Sequence, residues 1–531
     1  MLYKHELRMS SQKLQFMKNS IFSVSTVLLA SVHLIATEKT SPNIIFIFTD
    51  DHAAGAISAY GGLFKDIAPT PNIDKLAKEG ALLNNVFCTN AISGPSRACV
   101  LTGKYSHING YYKNEQGGIF NSSQWTFPQA LQQAGYLTAL FGKWHLGSEP
   151  KGFNVYKYHN DNGQQGTYWN PVFNENGTNV KEKGYATNLT TDFALNWLDK
   201  NKNSKSPFCL LLQYKAPHRE WSPDSIYLHL FDNMDMPYPA SFNDDYKGRE
   251  KTMGDTQATM AYLNRKDMKL VPSENLAGKA LINWLAYGNK PGENFSPKEG
   301  MTLDEIKKWK YQRYMKDYLT CIKSVDDNIG RVFTYLKENG LDKNTIVIYS
   351  SDQGFYLGDH GLFDKRFMYE ESLRMPFLVR YPEKIKPGTI CNDIITNVDF
   401  APTILEMAGV KSPKDVQGKS FFNNLMGKTP KSWQKSMYYH YYEFPFWHHV
   451  QPHYGIRSER YKLIHFYYNI DLWEFYDLKS DPDEINNCIN NPVYSSIIAQ
   501  MKKNLKAQMR KVGNDKSLDE FRKISDTNFD N

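Results

Sequence analysis

The stretch Asn43-Ile-Ile-Phe-Ile-Phe-Thr49 carries five consecutive apolar residues and then stops at the acidic pair Asp50-Asp51. A strand buried on both faces needs a continuous apolar run; a half-exposed one alternates. The pattern recurs three times. Leu137-Thr-Ala-Leu-Phe141 runs into Gly142-Lys143-Trp144-His145, and Phe208-Cys-Leu-Leu-Leu-Gln-Tyr214 runs into Lys215-Ala-Pro-His218. Thr345-Ile-Val-Ile-Tyr349 runs into Ser350-Ser-Asp352-Gln353. Helical patterns lie between them, over Trp125 to Ala134 and Tyr311 to Asn339. Together they predict an α/β fold: a large mixed, mostly parallel sheet flanked by helices.

In such a sheet, ligands bind beyond the carboxyl ends of the strands. Four strands therefore bring Asp50, Asp51, Lys143, His145, His218, Asp352 and Gln353 to one edge. A single polar strand end means little, but four converging by one rule predict an active site.

The rest of the chain bounds the answer. At 531 residues it is too long for one compact core. With 41% hydrophobic and 22% charged residues it is an ordinary globular protein, which excludes fibrous and disordered classes. Of the formal charge of +7, a net +3 sits in the first 36 residues, leaving +4, too weak an excess for a nucleic-acid protein. Six cysteines without metal-binding spacing exclude a disulfide scaffold and a structural zinc site.

Residues 1–36 read as a signal peptide: Lys18 precedes Ile21 to Ala36, with small residues at Ala30 and Ala36. Sixteen residues, five of them polar, are short for a membrane span. No second long apolar run follows, so the mature protein is expected without a membrane span, exported to the periplasm or outside the cell. The expected division is a catalytic α/β domain over 37–430, with a polar insertion over about 232–294 beside the site edge. A smaller C-terminal α+β domain, 431–531, would be built on an antiparallel sheet and cap the substrate. No internal repeat is present.

Ser93-Gly-Pro-Ser-Arg97-Ala-Cys-Val-Leu-Thr-Gly103 is the most specific string in the chain. Pro95 suits the first position of a helix, which puts Ser93 at a helix N-terminus favourable to anions, with Arg97 one turn on. A plain N-cap would account for Ser93 alone. It would not account for Thr102-Gly103, the acidic pairs or Gly142-Lys-Trp-His-Leu-Gly147.

These strings resemble the sulfatase family of the alkaline phosphatase superfamily, from about Pro42 to about Asn487. The resemblance implies that Ser93 is oxidised to formylglycine, whose hydrate is the nucleophile. It also implies a serine-type maturating enzyme as partner. Asp50, Asp51, Ser93, Asp352 and Gln353 match the metal ligands. Oxygen donors with no His or Cys favour one calcium ion. Gln353 stands where Asn is usual but keeps the carbonyl oxygen. Arg97 and Lys143 match the residues that hold the nucleophile and sulfate, and His145 the proton acceptor. His218 resembles the second histidine, which contacts sulfate and protonates the leaving oxygen; Lys365 resembles the lysine on the leaving-group side. Such a cycle needs a cation for the oxyanion, positive side chains around the transition state and an acid for the leaving alcohol.

For the substrate, Tyr438 to Tyr476 holds fifteen aromatics and five histidines in thirty-nine residues, a composition suited both to a small strand-rich core and to sugar rings. Asp364 and Arg366 flank Lys365 and are expected to grip sugar hydroxyls, joined by His453 from a predicted loop. The C-terminal pattern resembles carbohydrate sulfatases, and Asp364-Lys-Arg with Met368-Tyr-Glu370 resembles the branch acting on 6-sulfated N-acetylglucosamine of glycosaminoglycans or mucin-type glycans. Two alternatives remain open. One is a phosphomonoester or phosphonate-ester hydrolase of the same superfamily, kept alive by Asp359-His360. The other is a non-catalytic sulfoglycan-binding protein in which Ser93 stays unoxidised.

Overall fold

The computed structural model describes residues 41–114, 119–264, 266–269 and 300–527. The expected signal peptide, and residues 265 and 270–294 of the expected insertion, lie outside the described residues. Pro42–Asn531 forms one compact unit, so both predicted parts of the mature chain fall within it.

In chain order the first eight strands are β1 (Asn43–Thr49), β2 (Ala81–Leu83), β3 (Val86–Phe87), β4 (Leu137–Gly142), β5 (Val155–His159), β6 (Val172–Glu175), β7 (Thr178–Lys181) and β8 (Phe208–Gln213). They are followed by β9 (Thr345–Ser351), β10 (Phe377–Arg380), β11 (Thr389–Cys391), β12 (Ile395–Thr396), β13 (Ser436–Tyr441), β14 (His453–Ser458), β15 (Tyr461–Phe466) and β16 (Leu472–Asp477). Ten of them form one sheet in the order β11-β2-β10-β9-β1-β8-β4-β5-β6-β7. The centre, from β9 to β5, is parallel, and antiparallel strands close both sides.

β1 shows why the apolar runs are continuous. Ile44, Phe46 and Phe48 enter a core shared with the helices Ser93–Thr102, Phe127–Gln133 and Phe400–Met407. Ile45 and Ile47 point the other way, into a core built with the helices Ala186–Asn201 and Leu303–Glu338. Both faces of the strand are dry, so neither tolerates a polar residue until the strand ends.

Register decides where those ends lie. Phe48 pairs with Gln213 on β8 and Ser350 on β9, and Gly142 on β4 pairs with the same Gln213. The four strands therefore stop level with one another, and the residues after them form one row. Gly142 makes this possible on β4: it sits at φ 108°, and a Cβ there would lie 1.8 Å from the Gln213 carbonyl oxygen.

Two helices differ in extent from the sequence reading. The first is Phe127–Gln133, closed by a capping box of Thr126 and Gln129. The second starts earlier than expected, at Leu303, behind a capping box of Thr302 and Glu305, and runs 36 residues to Glu338.

β13 to β16 form a separate four-stranded antiparallel sheet. One face, with Tyr438, Tyr454, Leu463 and Phe475, packs on the helices Ser495–Lys511 and Leu518–Asp526. The other, with Tyr439, Tyr441, Ile464 and Tyr476, belongs to the main core. Much of the aromatic richness read from this region is thus core.

Candidate active site

The row of strand ends is nearly dry. Asp50, Asp51, Asp352, Gln353 and Lys143 have no exposed surface, and Ser93, Arg97 and Lys365 have almost none. Ser93 opens the Ser93–Thr102 helix, and Pro95 is the third helical residue rather than the first. Its Oγ donates to Asp50 Oδ1 at 3.1 Å. Ser96, one turn face away, donates through Oγ to the Asp352 carbonyl and accepts from Asn397 Nδ2 at 2.9 Å, which ties the helix start to the end of β9.

Arg97 reaches back across the site. Its Nε and NH2 lie 3.1 Å from Asp352 Oδ2, its NH2 3.7 Å from Asp50 Oδ1, and its NH1 donates to Gln213 Oε1 at 3.2 Å. Lys143 Nζ contacts Asp50 Oδ2 directly. Lys365 Nζ is 2.8 Å from both Asp51 oxygens. His218 Nε2 stands 3.7 Å from Asp51 Oδ2, and its Nδ1 is 2.7 Å from the Arg219 carbonyl. A carbonyl oxygen only accepts, so Nδ1 carries the proton and Nε2 faces the site.

Three buried carboxylates at one point are a charge problem. Asp50 is held well below the usual carboxylate range: burial opposes its charge, but Lys143, His218 and Arg97 outweigh burial. Burial pushes the Asp51 carboxyl up to about 8, Lys365 works against this, and the charges of Asp50, Asp352 and Asp364 add to it. Asp352 rises to about 6, through burial and then repulsion from Asp50. A divalent cation relieves that repulsion. Gln353 Nε2 donates to Asp51 Oδ1 at 2.5 Å and Asp352 Oδ1 at 2.8 Å, while its buried Oε1 accepts no hydrogen bond. Half a turn of the amide exchanges the two atoms and adds a carbonyl oxygen to the cluster. These donors are all oxygen and suit a hard cation such as calcium.

Among the described residues, Asp50, Asp51 and His218 place ligand atoms within 4.8 Å of one another. His360 is not among them. Its Nδ1 lies 2.7 Å from Asp244 Oδ2, so His360 is turned to the insertion, and Asp359 accepts from the Leu357 backbone at 3.0 Å.

Burial disfavours the charged form of both site histidines. Burial, then the neighbouring Lys143, drives His145 well below its usual value, and burial does the same to His218. One residue in contact with His145 was not legible in the sequence. Gln165, from the loop after β5, accepts from Lys143 Nζ at 2.5 Å and lies 2.8 Å from His145 Nε2. An ammonium only donates, so it takes the Gln165 oxygen; the Gln165 amino group then donates to His145 Nε2, which must be the unprotonated nitrogen. Burial lowers Lys143 itself to about 8 against the pull of Asp50.

Beside the cluster, Phe363 to Phe367 carries the residues expected to meet sugar. Asp364 Oδ2 lies 3.2 Å from His448 Nε2, and its Oδ1 lies 3.4 Å from Arg366 Nε. Arg366 NH1 is 2.8 Å from Glu443 Oε1 and 3.1 Å from the Tyr441 hydroxyl. Asp51, His145, Asp364, Arg366 and His448 all adopt positive φ, between 56° and 100°. Strain of this kind costs roughly 1–3 kcal/mol per residue and clusters where side chains must be aimed.

His453 is corrected. It opens β14 instead of lying in a loop, it is fully buried, and its ring sits among Phe367, Tyr439, Tyr441 and Phe466. His448, five residues earlier, is the histidine that reaches Asp364. Five histidines in one short segment gave no signal to choose between them.

The chain is similar to several known proteins. A family model for sulfatases matches residues 42–410, and a model for the C-terminal region of N-sulphoglucosamine sulphohydrolase matches 358–511. An N-acetylglucosamine-6-O-sulfatase of Bacteroides thetaiotaomicron is 46% identical over 511 residues, covering 92% of this chain and 90% of its own. A solved structure of a protein in complex with its substrate, D-glucosamine-2-N,6-O-disulfate, is 43% identical with a TM-score of 0.86, over 90% of this chain and 99% of that one. An ulvan-active sulfatase of Formosa agariphila is 26% identical over 89% of this chain and 80% of its own.

Proposed function

The chain belongs to the sulfatase family, enzymes that hydrolyse sulfuric esters, and on that premise we propose an exported carbohydrate sulfatase acting on 6-O-sulfated N-acetylglucosamine or a closely related glucosamine sulfate. The observation that carries the proposal is the convergence of Asp50, Asp51, Asp352 and Gln353 with Lys143, Arg97 and Lys365 around the Ser93 hydroxyl. The sugar rests on the 46% identical relative and on the 43% identical structure holding glucosamine disulfate. The source in glycosaminoglycans or mucin-type glycans, the export, the serine-type maturating partner and the division of the chain near residue 430 belong to the same reading.

Formylglycine made from Ser93 would supply a hydrated aldehyde as nucleophile, and calcium held by Asp50, Asp51, Asp352, Gln353 and that residue would draw charge from the sulfate. Ser93 suits the modification: it is buried at a helix start, with its Oγ on a carboxylate and cations beside it. The chain's own residues carry the rest. Arg97 and Lys143 neutralise charge where the sulfur is attacked. His145 accepts a proton at Nε2, the nitrogen on which Gln165 now donates. His218 turns Nε2 to the leaving sugar oxygen, because its Nδ1 donates to the Arg219 carbonyl, and it gives that oxygen a proton when Nε2 is protonated as well. Lys365 stands on the same side, and Asp364, Arg366 and His448 present hydrogen-bonding groups to the sugar.

The test is sulfate release by protein co-expressed with a serine-type maturating enzyme, beside Ser93→Ala. The panel holds N-acetylglucosamine-6-sulfate, N-acetylgalactosamine sulfates and a phosphate ester, and mass spectrometry of the Ser93 peptide reports its oxidation. Release from the 6-sulfate that vanishes in Ser93→Ala supports the reading. Preference for the phosphate ester, or confirmed formylglycine without sulfate release, overturns it.

A further inference from the structure

Outward from His448 lies a cleft of about 350 Å³, lined by Arg219, Gln257, Tyr262, Asn264, Phe446, Trp447 and His449 among others. That volume is in the range of small-ligand pockets. Three aromatic side chains stand in it exposed to solvent: Trp447 at 55%, Tyr262 at 52% and Phe446 at 43%. Most aromatics of this region are core, so three left in water beside one another need a reason.

The backbone holds them there. Trp447, His448 and His449 adopt positive φ in succession, 45°, 78° and 50°. The turn buries the His448 ring and leaves the Trp447 ring outside. His448 Nδ1 faces the Gln257 carbonyl at 3.2 Å, and its Nε2 lies 3.2 Å from both Asp364 Oδ2 and Arg219 NH1. Arg219 is clamped by Asp267, with Nε to Oδ1 at 3.1 Å and NH2 to Oδ2 at 2.6 Å. Arg219 directly follows His218, the residue on the leaving-group side. From His218 through Arg219 and His448, one continuous set of contacts thus leads from the sulfate position, past the first sugar, to the aromatic cleft.

We infer that this cleft is a second sugar subsite, which takes the ring glycosidically joined to the sulfated one; this rests on the carbohydrate-sulfatase reading above. The chemistry selects a pyranose. Its apolar face stacks on Trp447 and Tyr262, and its hydroxyl rim meets Asn264, His449 and the guanidinium edge of Arg219. A lipid or protein partner would call for a broader, less polar patch.

The experiment compares kcat/KM for N-acetylglucosamine-6-sulfate with that for a disaccharide carrying a hexose on its anomeric carbon. Matured wild type, Trp447→Ala and Trp447→Phe are assayed, and Tyr262→Ala is a second site in the same cleft. In the wild type the disaccharide is favoured by about three- to tenfold through KM. In Trp447→Ala the ratio falls to about one, Trp447→Phe keeps most of it, and Tyr262→Ala lowers it. A wild-type ratio near one, or a preference that survives in Trp447→Ala, overturns the subsite while sulfatase activity stands. Hydrolysis of neither substrate by protein with confirmed formylglycine overturns the sugar reading and the subsite with it.

Discussion

The strand-end row and the Phe363–Phe367 loop lie side by side, joined where Lys365 meets Asp51, but they are built differently. The row is fixed by a ten-stranded sheet whose register levels four strand ends. The loop has no such ladder. It has positive φ at Asp364 and Arg366 and is propped from the second sheet and the residues after its first strand, where Tyr439 donates to the Arg366 carbonyl at 2.5 Å and Tyr441 and Glu443 hold the Arg366 guanidinium. The row rests on backbone pairing within one sheet, and the loop, which the proposed function assigns to the sugar, rests on side chains from in and just after the second sheet.

The sharpest way to break the comparison is on the row itself. Asp51→Asn removes a charge that both Lys365 and the cation need, and sulfate release is expected to fall by about a thousandfold. Loss of bound calcium by elemental analysis should accompany it. Chelation of the wild type should lower its melting temperature, because a cation present at a thousand times its Kd stabilises by about 4 kcal/mol. A chelator-insensitive protein would mean that Lys143, Arg97 and Lys365 alone offset the three carboxylates.

On the loop, Arg366→Lys keeps the charge but loses the planar guanidinium that spans Asp364 at Nε and Glu443 at NH1. We expect a rise in KM and a loss of discrimination between N-acetylglucosamine-6-sulfate and other sulfated sugars of about tenfold or more, with kcat less affected. Equal loss of kcat on every sulfate ester would show that the two regions do not divide the work.

A smaller effect concerns the insertion beside them. The Asp244 carboxyl is held at about 2: burial opposes this, but the hydrogen bond with His360 and the charge of Arg249 prevail. Its folded value lies below the unfolded one, near 3.9, so the stability it adds is complete above about pH 4 and is lost as pH falls toward 2. Its size is about 1–2 kcal/mol after allowing for screening. Denaturant titrations should show this acid loss in the wild type and its weakening in Asp244→Asn. The smallest effect is at His453: Phe fits its aromatic cage, so His453→Phe should cost less than about 1.5 kcal/mol and leave the sugar KM near wild type.

Legibility in the sequence follows the same divide. β1, β4, β8 and β9 announced themselves because a strand buried on both faces must be apolar until its end, so the first polar residues mark the site. The Ser93 to Gly103 string was legible because it matches the sulfatase signature; the helix start alone would have read as a plain N-cap. Gln165 was not, since it comes from a polar loop whose neighbours Gly163 and Gly166 mark only a turn. His448 and His453 could not be ranked because strand membership, not composition, decides which is buried. The Leu303 helix start was readable from Thr302 and Glu305, and the apolar period alone hid it.

Lys365 and Arg366 are consecutive in the chain, yet one reaches Asp51 and the other Glu443, and left-handed backbone at Asp364 and Arg366 brackets Lys365. A lineage drifting toward a new glycan cannot remodel Arg366 without disturbing its neighbour. On the proposed reading, a change of glycan is then channelled to positions such as Trp447 and Tyr262, which lie outside the strand-end row.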